Sequence, residues 1–520
     1  MKKTVVLHPF LLGVYPIVTL FSSNLKVFPL RFIEVVAPII IISAFSLISY
    51  ILLSAALKNK FKAGMIVSLF LILFFSYGHI LRAIWQWSSD TIKVDLIILG
   101  LLCLILFSFF IVKSKRAFRD FTIVLNIFSA VAVCTNLFPV GRYLLSHKAP
   151  LKGIEIQKAG GASVYPDIYY IVLDGYARND VLKSLYHYDN SGFVKRLKDQ
   201  GFYVASDSYA NYCQTTLSLA SSMNMRLLDP VAEVMGGDSI NRGPLVDMIT
   251  HSQIRSLLRE RGYGFAAFSS GYFGTEIQNA DIYMKPKGSL SEFQNILLST
   301  TPVPLVLGLK KMKSQFDVHR ERVLYILDNL GTFKKPDGPI FLFAHIPAPH
   351  PPFVLGPNGE KERPTGYYSV DDGSHYHRFQ REEVERYIDS YNKQLVFITK
   401  KIEIAIAAII RNPKRASIII MQSDHGPGSA LDWENPYRTN LKERLAILNT
   451  IYFPDGRYDS LYDGMTPVNT FRIILNQYFN NSLELEKDKS YFSTWSHPYK
   501  FIEYDVTHDS LVAPQPIGRK

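Results

Sequence analysis

Cysteine is scarce: among 520 residues only Cys103, Cys134 and Cys213 occur. The first two lie in long apolar runs, and Cys213 is alone in the more polar part. One cysteine closes no internal disulfide there, and the spacing fits no Cys-rich zinc module. There is no internal repeat. Charge is thin in the first 145 residues and ordinary afterwards, although the whole chain is 20% charged and 48% hydrophobic. The net charge of +12 would suit nucleic acid. However, much of the surplus sits in short loops between apolar runs, and the polar part has no basic stripe interleaved with aromatics. No nucleic-acid partner is expected.

The apolar runs are of membrane length. About 18 or more apolar residues suit a bilayer core of roughly 30 Å. Segments 33–57, 63–82, 94–112 and 121–141 meet that length. A fifth, 5–22, is shorter and holds Pro9 and Pro16. No small-residue cleavage site follows it in "SSNLKVFPLR", so it reads as a first span rather than a signal peptide. Lys2, Lys3, Lys58, Lys60, Lys62, Lys113, Lys115, Arg116 and Arg119 lie on one side of this layout, and Lys26, Arg31, Arg82 and Lys93 on the other. Nine against four predicts a cytoplasmic amino terminus, and five crossings then deliver the rest of the chain outside. Trp85 and Trp87 fall in an outer loop, where amphipathic rings favour the interface. The expected organisation is a transmembrane region over 1–145, a linker over 146–164 and an extracytoplasmic domain over 165–520.

Beyond residue 165, short β-rich runs alternate with helical ones. "DIYYIVLD" (167–174), "FLFAHI" (341–346), "ASIIIMQSDHG" (416–426) and "LAILNTIYF" (445–453) read as buried strands. The stretches 190–201, 381–412 and 466–479 read as helices, the last opening on a Thr N-cap followed by Pro. Such alternation predicts an α/β domain with a mainly parallel central sheet covered by helices on both faces. In such sheets ligands bind outside the carboxyl ends of the strands. Those ends carry Asp174, His345 with the loop to His350, and Asp424-His425. The loop 350–379, rich in Gly, Pro and charge, is of the length that is usually functional or disordered.

Asp174, Asp424 and His425 are oxygen and nitrogen donors of the kind that hold Mn²⁺, Zn²⁺ or Mg²⁺. Each also has an ordinary role: a strand-end Asp commonly caps a turn, and a core histidine is commonly satisfied by its neighbours. "NYCQTTLSLASSMN" (211–224) reads as a loop entering a helix, whose free N–H groups form a ready anion site. A threonine there would face a bound phosphate or sulfate group, or would simply cap the helix. Cys213 reads as a small buried hydrophobe.

"YYIVLDGY", "NYCQTTLSLAS", "FAHIPAPHPPF" and "SDHGPGS", in that order after the apolar spans, resemble the alkaline phosphatase superfamily. The likeness is to its membrane-anchored sulfatase-like branch, with the lipoteichoic acid synthases and lipid A phosphoethanolamine transferases. The resemblance covers about 165–480. It implies an alkaline-phosphatase-like fold and one divalent ion, Mn²⁺ or Zn²⁺ with Mg²⁺ and Ca²⁺ as further candidates, on Asp174, a threonine, Asp424 and His425. The transferases read T-x-x-S at the nucleophile. Thr215 with Ser218 fits that spacing, and Thr216 is the alternative. The resemblance further implies His350 as a catalytic group at the phosphate or leaving group, with His345 and Asn211 as substrate contacts. The implied activity is transfer of a phosphoethanolamine or phosphoglycerol head group from a phospholipid donor to an envelope glycan or lipid acceptor, through a covalent phosphothreonine. The implied location is the cytoplasmic membrane. A phosphodiesterase or sulfatase-type hydrolase on the same fold is the alternative, and a non-catalytic polymer-binding protein a further one.

Several departures bear on this reading. Sulfatases need C-x-P-S-R or a serine equivalent, whereas Cys213 is followed by "QTTLS". They usually show two acids after the first strand, whereas Asp174 is followed by Gly175. Two-metal relatives such as the nucleotide pyrophosphatases carry D-x-x-x-H where this chain reads Ile346-x-x-x-His350. An Asp371-x-x-x-His375 spacing occurs elsewhere, in the long loop. The transferases carry another histidine about a dozen residues after Asp-His, and none appears here before His497.

Overall fold

The computed structural model describes residues 4–24, 32–84, 90–146, 165–288, 292–306, 314–333, 336–364, 368–411 and 414–512. Trp85, Trp87 and nearly all of the 146–164 linker fall outside these residues. The chain divides into two compact units, one of Met1–Lys148 with Leu290–Lys313, the other of Ala149–Ser289 with Ser314–Lys520.

The first unit is helical: α1 (His8–Asn24), α2 (Phe32–Leu57), α3 (Lys60–Ala83), α4 (Asp90–Lys113) and α5 (Arg119–Ser146). Among the described residues, four stretches, Glu34–Leu57, Lys60–Ala83, Thr91–Lys113 and Arg119–Arg142, are long and apolar enough to cross a membrane. The expected first span is the exception. α1 has 17 residues, about 25 Å at the usual rise, less than the hydrocarbon core. It packs against α2, α3 and α5, and Asn126 of α5 accepts from the Leu7 and His8 N–H groups at its start. Short helices at Glu292–Ser299 and Val303–Val306 belong to this unit. They lie against α3, where the Gly78 N–H donates to the Thr300 carbonyl at 2.9 Å and a Cβ on Gly78 would meet the Ser299 oxygen at 2.2 Å.

The second unit is built on a seven-stranded sheet: β1 (Asp167–Leu173), β2 (Tyr203–Val204), β3 (Gly264–Phe268), β4 (Ile282–Met284), β5 (Ile340–Ile346), β6 (Ser417–Gln422) and β7 (Asn449–Tyr452), in the order β2-β7-β6-β1-β5-β3-β4. β1 pairs parallel with β5 and β6, and β3 with β5 and β4. The β6–β7 and β2–β7 pairs are antiparallel. β1, β5 and β6 are buried along their whole length because side chains alternate between two covered faces. Tyr169, Ile171 and Leu173 enter one core, and Ile168, Tyr170 and Val172 the other.

Three helices do most of the positioning: α6 (Thr215–Asn224), α7 (Arg381–Ile410) and α8 (Pro467–Phe479). α7 covers the first face through Tyr387, Tyr391, Leu395, Ile398, Ile402 and Ile406, a three-to-four-residue stripe. α6 and α8 cover the second. Thr466 stands at the N-cap of α8 but makes no capping bond, since its hydroxyl is spent on Asp488. The strand expected over 445–453 is shortened to β7 because Asn440 caps a short helix at Leu441–Leu445 by accepting from the Glu443 N–H. A three-stranded antiparallel sheet, β8 (Ser490–Phe492), β9 (Ile502–Asp505) and β10 (Ser510–Leu511), follows.

Candidate active site

The carboxyl ends of β1, β5 and β6 meet. The Asp174 N–H donates to the Ile346 carbonyl, and the His350 N–H to the Asp174 carbonyl, so the β1 and β5 tips are stitched together. Gly175 takes φ +72°, where a side chain is strained, and its N–H donates to Asp424 Oδ1 at 3.3 Å. At the end of β6, Ser423 donates to the Leu173 carbonyl at 2.7 Å and accepts from the Tyr176 N–H at 2.9 Å. Gly426 is obligatory: a Cβ there would lie 2.0 Å from the Glu443 carbonyl oxygen.

His425 and Thr215 meet at the centre. The His425 ring donates Nδ1–H to the Gly426 carbonyl at 2.9 Å. That fixes the tautomer and leaves the Nε2 lone pair facing inward. Nε2 lies 3.1 Å from Thr215 Oγ1, 3.3 Å from Asp424 Oδ2 and 3.5 Å from Asp174 Oδ1. Thr215 is the first residue of α6, after Gln214 at the N-cap. Thr216 turns its methyl toward Gly274 instead. His345 Nε2 lies 3.2 Å from Asp174 Oδ2. His350 donates Nδ1–H to the Pro351 carbonyl at 2.7 Å and sits with its ring 5.9 Å from that of His425.

These groups fit a divalent cation. Asp174 Oδ1, Asp424 Oδ2 and His345 Nε2 are buried polar atoms without a hydrogen-bond partner, a costly state unless something fills the gap. Ligand atoms of Asp174, His345 and Asp424, and likewise of Asp174, His350 and His425, lie within 4.8 Å of one another. Burial pushes the Asp174 carboxyl up, but His350, His345 and His425 outweigh it and hold the group well below the usual carboxylate range. Burial, aided by Arg444, pushes His425 below the usual imidazole value, which favours the neutral, ligating form.

Asn211, expected at the substrate, is not brought to this cluster. Its Nδ2 donates to Thr466 Oγ1 and the Lys489 carbonyl, and its Oδ1 accepts from the Val468 N–H. Its side chain thus braces the start of α8 and the segment before β8. Asp371 is exposed and bonded to Ser369, and the His375 ring packs by Trp433 and Trp495, so the Asp371-x-x-x-His375 spacing forms no cluster. Cys213 is fully buried, with Sγ 3.4 Å from the Ser493 carbonyl and N–H. Burial raises its thiol above the usual value.

Two groups were not legible as site residues. Asp372, in the long loop, is buried with Oδ1 accepting from Tyr387 at 2.7 Å and Oδ2 from Arg444 at 2.7 Å. Its Oδ2 is 3.7 Å from His350 Nε2. Arg444 also donates to the Cys213 and Gly426 carbonyls. It therefore ties the segment before Thr215, the segment after His425 and the long loop to one guanidinium. Asp372 lies far upstream of the D-H-G motif and Arg444 well past it, and neither position carries a sequence signal.

The Sulfatase family description matches residues 166–477. The chain belongs to the sulfatase family, within the alkaline phosphatase superfamily, and is an enzyme of that superfamily. Among solved structures it is similar to the zinc complex of the C-terminal periplasmic domain of EptC from Escherichia coli, at 10% identity over 67% of this chain and 94% of that one, TM-score 0.41. It is also similar to the integral membrane lipooligosaccharide phosphoethanolamine transferase EptA of Neisseria meningitidis, at 11% identity over 94% and 97%, TM-score 0.41. The C-terminal periplasmic domain of phosphoethanolamine transferase EptC from Campylobacter jejuni gives 14% identity over 62% and 91%, TM-score 0.36. No curated protein matched the sequence.

Proposed function

We propose that this enzyme is a membrane-bound, metal-dependent phosphotransferase that moves a phospholipid-derived head group, phosphoethanolamine or phosphoglycerol, to an envelope glycan or lipid acceptor. The observation that carries this reading is the Thr215 hydroxyl, at the start of α6 and 3.1 Å from His425 Nε2, inside the Asp/His cluster. The cation would be held by Asp174, Thr215, Asp424 and His425, and when bound would supply charge neutralisation at phosphoryl oxygens and a lowered hydroxyl pKa. In the first step Thr215 Oγ1 forms a bond to phosphorus as the bond to the lipid alkoxide breaks. Oγ1 gives up its proton, the alkoxide takes one up and leaves as the lipid alcohol, and the head group stays as a phosphothreonine diester. In the second step an acceptor hydroxyl attacks phosphorus, Thr215 leaves, and its oxygen regains a proton. The free N–H groups of α6 favour the anionic phosphoryl group. His350 suits the proton donor: burial lowers it, but Asp174 and Asp372 outweigh burial and raise it above the usual imidazole value.

The burial of Cys213 and the raised position of its thiol argue against formylglycine chemistry and so against a sulfatase. We place the catalytic domain outside the cytoplasmic membrane, on the nine-to-four split of basic residues and five crossings that include α1. The test is turnover of a phospholipid labelled in both head group and acyl chains by the full chain in detergent with Mn²⁺. Diacylglycerol should appear together with head group on the acceptor, and Thr215→Ala should lower both by at least about 1,000-fold. Sulfate ester cleavage without lipid turnover would overturn the reading.

A further inference from the structure

His345 is fully buried, and its two nitrogens have different fates. Nδ1 lies 2.7 Å from Thr275 Oγ1. Thr275 Oγ1 lies 2.8 Å from Ser270 Oγ. Ser270 Oγ accepts from the Tyr272 N–H at 3.1 Å, and its own proton has the Tyr272 carbonyl at 3.3 Å and Glu276 Oε2 at 3.4 Å as acceptors beyond Thr275; the Tyr272 carbonyl also lies 3.5 Å from Thr275 Oγ1. Glu276 is itself anchored by the Gly271 N–H at 2.8 Å and Ser269 at 2.7 Å. A hydroxyl chain that ends on a carbonyl or carboxylate has a direction. Ser270 donates outward, Thr275 donates to Ser270, and Thr275 therefore accepts from His345 Nδ1–H. Nε2 is left with its lone pair.

That lone pair points into the cluster. Nε2 is 3.2 Å from Asp174 Oδ2 but has no hydrogen-bond partner of acceptable geometry. Two electron-rich atoms that close repel unless a cation lies between them. Asp174, His345 and Asp424 offer ligand atoms within 4.8 Å of one another, and Asp424 Oδ2 and Asp174 Oδ1 are likewise orphaned. We propose that His345 is a fifth protein ligand of the divalent cation, beside Asp174, Thr215, Asp424 and His425, and that Thr275 is a positioning residue that holds it in the ligating tautomer. The inference rests on the metal-dependent reading above. It replaces the substrate contact expected for His345 from the sequence. The Thr275–Ser270–Glu276 chain plays the part that outer-sphere hydrogen bonds play at other metal sites, where their loss typically costs about 10–100-fold in affinity.

The test uses Zn²⁺ alone, at one equivalent, on the full chain in detergent. X-ray absorption counts imidazoles on the metal, and chelator competition gives the dissociation constant. Wild type should show two imidazoles. His345→Ala should show one, with affinity lowered at least about 100-fold, whereas His350→Ala should keep two. Thr275→Val should weaken binding about 10–100-fold and Thr275→Ser should restore it. Melting in excess chelator shows whether each variant folds, and Thr275→Val carries the test if His345→Ala does not. Two imidazoles retained in His345→Ala, or unchanged affinity in Thr275→Val, overturns the proposal and leaves the phosphotransferase reading standing. Wild type that binds no Zn²⁺ overturns both.

Discussion

Arg444 and Asp372 hold the site's frame more than its chemistry. Both are almost wholly buried and paired at 2.7 Å. Gly428 has no room for a Cβ, which would lie 2.6 Å from the Asp372 carboxylate, so the pair is closely enclosed. Burial alone would raise the Asp372 carboxyl, but His350, Arg444 and Tyr387 outweigh it and lower it below the usual range. A carboxyl depressed in the folded state stabilises the fold fully above its unfolded value, near 4. It loses that contribution as pH falls toward the folded value. Breaking such a buried pair from one side typically costs about 3–5 kcal/mol. Asp372→Asn is therefore expected to lower unfolding free energy by about that much at pH 7, and to flatten the fall in stability below pH 4. Urea unfolding at pH 7 and at a series of pH values below 4 checks it; an acid limb as steep in the variant as in wild type would contradict the pairing.

At the scale of elements, legibility followed periodicity. β1, β5 and β6 were readable as strands because both faces are covered, which demands continuous apolar runs. α7 was readable from its stripe. Asp174, Asp424 and His425 were readable as candidates because each directly follows such a strand. Residues that reach the cluster from irregular segments were not. Nothing local distinguishes buried Asp372 from exposed Asp371, and Thr275 sits in a single 3₁₀ turn, Phe273–Thr275, with no period at all. The direction of β7 was equally silent, since an antiparallel return depends on the turn geometry of 423–448 rather than on its own four residues. Asn211 shows the converse: a polar residue beside a motif can brace a helix.

At the scale of the whole molecule, the membrane reading depends on α1. Among the described residues four helices have spanning length and composition, and an even number of crossings would return the catalytic domain to the side of the amino terminus. Five crossings put the amino terminus and the catalytic domain on opposite sides. A single cysteine placed at Lys3, before α1, in an otherwise cysteine-free chain should be labelled by an impermeant maleimide only after the membrane is opened, while one at exposed Tyr437 should be labelled in intact cells. Labelling of both from the same side would show that α1 does not cross.

The claim from which the rest follows is that Thr215 carries the transferred group. Intact-protein and peptide mass spectrometry after incubation with labelled phospholipid and Mn²⁺ tests it directly. The expected result is a head-group phosphate adduct on Thr215 that is absent from Thr215→Ala. An adduct confined to Thr216, or formylglycine at Cys213, would contradict it.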